Sequence, residues 1–129
     1  MTEPIKLNKL ETRKVNDLND HIQIYADDKS AVHGASHYYQ ICLSIEGKPD
    51  LITEIQFQNG AINETGFNGI TNESLLEVVI DRMRGFQSGK FACRENALAL
   101  THLEEAMNWL LYRTSRRVAQ GVEGTREGN

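Results

Sequence analysis

Apolar and polar residues alternate with two different periods along this chain, and the change of period falls after Phe67. From His21 the period is two: in HIQIY, Ile22 and Ile24 share one face, and His21, Gln23 and Tyr25 the other. A polar, glycine-containing connection, ADDKSAVHGAS, follows. The run HYYQICLSI is aromatic and β-branched, with Tyr39, Ile41, Leu43 and Ile45 on one face. Glu46 to Asp50 is a turn by composition, and LITEIQFQ alternates again through Leu51, Thr53, Ile55 and Phe57. Asn59-Gly60 is the strongest short hairpin signal, because both residues accept the left-handed backbone of a type I′ turn. It predicts a short last strand in AINETGF, so that residues 21–67 read as an antiparallel meander of four strands.

Beyond that point the spacing is helical. Thr71 or Asn72 can cap a helix with Glu73 in its first turn, and Leu75, Leu76, Val79, Ile80 and Met83 make one apolar stripe. Gly85 and Gly89 bracket a break at GFQSG, and a second helix is expected from about Lys90 to Val118. Its inward face is Phe91, Leu100, Leu103, Met107, Leu110 and Leu111, close to a heptad seam. Two helices joined by a few residues pack antiparallel. The expected fold is therefore α+β, a small N-terminal antiparallel β-sheet followed by a C-terminal antiparallel helical hairpin. One domain is expected over residues 21–118, sheet over 21–67 and hairpin over 71–118, behind a polar arm at 1–20 and ahead of a mobile, glycine-containing tail at 119–129. A lone hairpin leaves apolar surface uncovered, so the Ala97, Ala106 and Trp109 face is a candidate for burial in a second copy, at least a dimer.

Composition narrows the function classes. Hydrophobic residues at 40% and charged residues at 25% are ordinary for a globular protein. The net charge of −4, from 14 basic and 18 acidic residues, argues against binding a nucleic-acid duplex. No run is apolar enough for a secretory signal in residues 1–20 or for a membrane span, which points to a cytoplasmic protein. Cys42 and Cys93 lack metal-ligand spacing and read as reduced, buried thiols.

No catalytic constellation stands out. His33 and His37 are four apart but flank Gly34 in a loop, so they do not form a two-ligand helical face. Glu104 and Glu105 are adjacent and diverge on a helix. Neither a catalytic residue, a metal site nor a cofactor is expected. The hairpin says more. Phe86 sits at the junction of the helices, Asn96 near the start of the second, and Arg113, Arg116 and Arg117 near its end. An aromatic face for a purine, an amide for its edge and arginine forks for phosphate make a minimal nucleotide-binding set. Each also has a plain structural use: core cap, solvated polar residue, or complement to the helix dipole. At 1.5 Å per residue, Arg113 lies roughly 25 Å along the helix from Asn96. An antiparallel dimer would bring the arginine end of one subunit beside the junction of the other.

The run GFQSGKFACRENALALTHLEEAMNWLLYRTSRRVAQGVEGT at 85–125, with FQNGAINETGFNGITNESLLEVVIDRM upstream, resembles the phage Thoeris anti-defence family of signal sponges, so that roughly residues 21–125 are covered. Its helical hairpin is shared with anti-CBASS cyclic-nucleotide sponges. The resemblance implies a non-enzymatic protein of the infected bacterial host's cytoplasm that captures cyclic ADP-ribose isomers made by immune TIR-domain enzymes. Cyclic di- or trinucleotides at separate sites, and hexamers assembled from dimers, are further implications. Carried over by position, Phe86 would stack on the adenine, Asn96 would hold it, and Arg113 would meet phosphates from a neighbouring subunit. The loop from Asp27 to His37 would close over ligand through Lys29 or His33. Two other readings compete with it: a protein-binding inhibitor of a host defence enzyme, and a signal-degrading phosphodiesterase.

Overall fold

The computed structural model describes residues 6–126 of the chain, so the expectations for residues 1–5 and 127–129 lie outside the described residues. An antiparallel sheet comes first, with β1 (Asn8–Lys9), β2 (Ile22–Ala26), β3 (Tyr38–Ile45) and β4 (Lys48–Gln56) as neighbours in that order. Helix α1 (Asp17–His21) links β1 to β2, and α2 (Ile62–Thr65) follows β4. Helices α3 (Asn72–Gln87) and α4 (Arg94–Gln120) form the hairpin. The α+β class, sheet then helical hairpin, is as the sequence implied. The chain divides after Asn59 into a sheet unit and a helical unit.

The sheet has the expected number of strands but one different member. Its first strand comes from the segment read as a loose arm: Asn8 pairs opposite Ala26 and Lys9 opposite Tyr25. The Leu10 N–H extends the pairing to the Ile24 carbonyl at 2.9 Å, and the Asn8 carboxamide donates to Asp28 at 2.9 Å. Two paired residues are too few for alternation to register in a sequence. Helix α1 starts at Asn16, whose side chain accepts from the Asn19 N–H at 2.8 Å, with Asp17 and Asp20 at the positive end of the helix. His21 therefore ends a helix and does not open β2.

The expected last strand, AINETGF, is a single helical turn instead. The Thr65 and Gly66 N–H groups donate to the Ala61 and Ile62 carbonyls, both at 2.9 Å. Ala61, Asn63 and Glu64 are poor strand formers, so nothing local resists this turn. The turn expected within Glu46 to Asp50 forms at Glu46-Gly47, with φ of 52° and 74°, and joins β3 to β4; no hairpin forms at Asn59-Gly60, since α2 and not a strand follows β4. Glu46 is the one non-glycine residue with positive φ among the described residues.

A bulge then resets the register. Ile41 lies opposite Thr53 but Cys42 opposite Leu51, which leaves Ile52 as the extra residue on β4. Thr53 and Ile55 share the face of Ile41 and Tyr39, whereas Leu51 turns with Cys42, so the single-face alternation expected for β4 breaks here. The first face continues across β2 through Ile22, Ile24 and Ala26, and the Tyr39 ring meets Phe57 edge to face at 5.7 Å. Ala26 and Cys42 are the buried apolar residues of this unit.

In the helical unit the Thr71 hydroxyl caps α3, accepting from the Ser74 N–H at 3.1 Å. The helix runs on through Gly85 and Phe86, so the break falls at residues 88–93 and α4 starts at Arg94, later than the periodicity suggested. Phe91 consequently lies in the loop, 64% exposed, and not on the inward face of α4. Ile80 and Met107 are the buried apolar residues here; Leu100, Leu103 and Leu110 are half-buried and Leu111 is exposed. Trp109 is 73% exposed, and Ala97 and Ala106 are also on the surface. No helix among the described residues is long and apolar enough to cross a membrane.

The turn at Glu46 makes a test of this register. Asn tolerates left-handed backbone and a β-branched residue does not, so Glu46→Asn should stabilise by roughly 0.5 kcal/mol and Glu46→Val destabilise by about 1 kcal/mol. Denaturant midpoints measure both, and a valine variant as stable as the parent would rule out the left-handed turn.

Candidate functional site

The residues that carry the nucleotide-binding pattern fall at two places on the hairpin. Phe86 occupies the last turn of α3 and is half-buried. The Arg82 guanidinium lies over its ring, 4.9 Å from the centroid, because the two residues are one helical turn apart. Phe91 meets the same ring edge to face at 6.4 Å.

Asn96 stands in the first turn of α4, half-buried, with its backbone N–H donating to Cys93 Sγ at 3.4 Å. Its carboxamide has no hydrogen-bond partner among the described residues, so both of its donors and its acceptor are available. Cys93 is exposed, contrary to the expectation of a buried thiol, because a capping side chain stays at the mouth of the helix; Cys42 is buried as expected. Gln87 ties the two helices together at this end. Its carboxamide accepts from the Cys93 N–H at 3.1 Å and donates to the Cys93 carbonyl at 3.2 Å. One turn earlier, Arg84 reaches Glu104 of α4 at 2.9 Å, and that hydrogen bond holds the guanidinium above its ordinary pKa.

The arginine group at the other end is split. Arg113 and Arg116 are exposed, but Arg117 is 5% exposed. Its Nε donates to Glu123 at 3.1 Å, and its Nη2 donates to the carbonyls of Val122 at 3.0 Å and Thr125 at 2.9 Å. Arg117 therefore does not present a fork beside Arg113: its donors are turned to the chain's own C-terminal segment. That segment, expected to be mobile, folds back as far as Arg126. Gly121 adopts φ of 72° to end α4, the Asn63 N–H donates to the Gly124 carbonyl at 3.1 Å, and Arg126 pairs with Glu64 at 2.7 Å.

Lys29 and His33 belong to the sheet unit, both exposed in the loop between β2 and β3. The loop is held by its own hydrogen bonds, from the His37 N–H to the Asp27 carboxylate at 3.0 Å and from the Ser30 N–H to the Ala35 carbonyl at 2.9 Å. His33 Nδ1 and His37 Nε2 are 3.2 Å apart. No group of three or more metal-ligating side chains occurs among the described residues. Sequence patterning passed over Arg82, Gln87, Lys90 and Glu123; the one signal available for Arg82 was its spacing of four from Phe86.

A β-meander followed by a two-helix hairpin, with an aromatic pair and an unpartnered amide at its turn, defines a small sheet-and-hairpin protein. The family model described as the Acb2/Tad1 hairpin domain matches residues 50–115, and the chain belongs to that family. The match runs from β4 through most of α4 and takes in Phe86, Asn96 and Arg113. A curated relative, Thoeris anti-defense 1 of Bacillus phage SBSphiJ7, is 50% identical over 76 residues. That alignment covers 59% of this chain and 54% of the relative, so the chain spans about half of the relative's length.

Arg117→Ala would leave Glu123 and two carbonyls without their donor at a buried position. It should lower stability by about 2–3 kcal/mol and free residues 121–126. Thermal melting together with amide hydrogen exchange of that segment checks this, and unchanged exchange there would mean that the segment is held by other contacts.

Proposed function

We propose that this protein binds cyclic ADP-ribose-type signals made by immune TIR-domain enzymes and sequesters them unaltered, as a phage anti-defence sponge in the cytoplasm of the infected host. The observation that carries the reading is that a half-buried Phe86 ring and an unpartnered, half-buried Asn96 carboxamide both fall at the turn end of the hairpin. A ring face suits a purine, and a free amide suits its hydrogen-bonding edge. Membership of the Acb2/Tad1 hairpin family and the anti-defence name of the phage relative support it. Sequestration needs affinity and copy number, not turnover, and lowers free signal by mass action.

In this reading Phe86 stacks on the adenine, Asn96 holds its edge and Arg113 meets the phosphates, with Arg116 beside it. Arg113 is too far along α4 to serve the ligand of its own subunit, so a homo-oligomer completes the site, a dimer that can assemble further to a hexamer. Lys29 and His33, in the β2–β3 loop of the sheet unit, are further candidate ligand contacts. Cyclic di- or trinucleotides are a second ligand class of the same chemistry. No metal and no cofactor takes part.

The exposed Trp109, its ring edge to face with Tyr112 at 6.1 Å, favours one other reading, a protein-binding inhibitor of a host defence enzyme. Titration calorimetry with a cyclic ADP-ribose isomer, followed by chromatography of heat-released ligand, separates the cases. The sponge gives tight binding and intact ligand, and Phe86→Ala or Asn96→Ala loses at least tenfold in affinity with the oligomer unchanged. Linear product would mean a phosphodiesterase. Binding that is absent for every cyclic nucleotide tried would leave the inhibitor.

A further inference from the structure

The turn of the hairpin is more basic than the chain around it. From Arg82 to Arg94 stand Arg82, Arg84, Lys90 and Arg94 with no acidic residue, in a chain of net charge −4. Arg84 is engaged by Glu104. Arg82 and Lys90 have no ion-pair partner among the described residues. Each lies instead on an aromatic ring, Arg82 at 4.9 Å from the Phe86 centroid and Lys90 at 5.4 Å from the Phe91 centroid. Those two rings are in contact with each other at 6.4 Å, so two rings and two unpaired cations form one cluster.

The cluster is held from both sides. Helical spacing fixes Arg82 over Phe86. The Gln87 clasp on Cys93 closes the loop that carries Lys90 and Phe91. An exposed cation on a ring gains little from it. Its effect here is to keep positive charge within a few ångströms of a surface on which a base can stack. Because no ion pair has to be broken, an anion can take up either cation without displacing a carboxylate.

We infer that Arg82 and Lys90, with Phe86 and Phe91, form a cradle for a phosphorylated purine within one subunit: the rings take the base and the two cations take the phosphate oxygens. The inference rests on the nucleotide-binding reading above. It adds a phosphate contact that does not depend on a neighbouring subunit, unlike that of Arg113. Arg82 covers the Phe86 ring in the free chain, and a base arriving there releases its guanidinium toward the phosphate that the base brings with it.

Calorimetric titration of a TIR-made cyclic ADP-ribose isomer into the full chain tests this, at low and at high salt, with size-exclusion chromatography of every variant. Arg82→Gln and Lys90→Gln should each weaken binding about tenfold, with Arg82→Lys less affected than Arg82→Gln. The double variant Arg82→Gln with Lys90→Gln should also flatten the salt dependence, with the oligomer unchanged. Parent affinity and parent salt dependence in the double variant, beside loss of binding in Phe86→Ala, would overturn the cradle and leave the sponge reading intact. Weakened binding with an undiminished salt dependence would also overturn it, because the two residues would then act through packing. A parent chain that binds no cyclic ADP-ribose isomer overturns both.

Discussion

Two helices packed on each other share one apolar seam, and the helical half of this chain has more apolar surface than one seam can cover. Ile80 and Met107 are buried along it, while Leu98, Trp109 and Tyr112 fall on a single strip of α4 that faces solvent. Fully burying a side chain of that size is worth roughly 1.5–3 kcal/mol. Covering their exposed parts would offset some of the ordering cost of an interface, in keeping with the homo-oligomer proposed above. The same geometry separates Asn96 from Arg113 along one continuous helix. The seam thus limits both what the hairpin hides and what a single subunit can bring to a ligand.

The long helix is tied down by hydrogen bonds at both ends. At the N-terminal end, Gln87 holds both backbone groups of Cys93, and Cys93 caps the turn that carries Asn96. At the C-terminal end, Gly121 reverses the chain and Arg117 receives the returning segment through Glu123 and two carbonyls. Arg84 and Glu104 add one exposed bridge between the helices, which solvent screening leaves with little to contribute. A candidate site at the turn therefore rests on backbone held in place by hydrogen bonds, a form of preorganisation that lowers the cost of binding. The aromatic pair at the turn is left partly open to solvent, which a stacking surface requires.

The sheet unit is held differently. Its β3–β4 hairpin depends on a left-handed Glu46-Gly47 turn and a bulge at Ile52, and the bulge sends Leu51 and Thr53 to opposite faces. The segment before it adds a two-residue strand and a capped helical turn. These short elements cost little to form because capping groups and neighbouring strands satisfy their backbone.

The sequence by itself determined the fold class, the strands from Ile22 to Gln56, a cap at Thr71 or Asn72 and the existence of both long helices. All of these rest on periodicity or on local hydrogen bonding, which a sequence carries directly. It also pointed to Phe86, Asn96 and Arg113, since an aromatic, an amide and a guanidinium are legible as chemistry wherever they stand. Only the tertiary structure decided the rest. It turned AINETGF into a helical turn and drew Asn8–Lys9 into the sheet, because such short elements follow their partners and not their own pattern. It moved Phe91 out of α4 and onto Phe86, and it gave Arg117 to the chain's own C-terminal segment. A side chain's type says which partners it can take; which of them lies within 3 Å is settled by how the chain returns on itself.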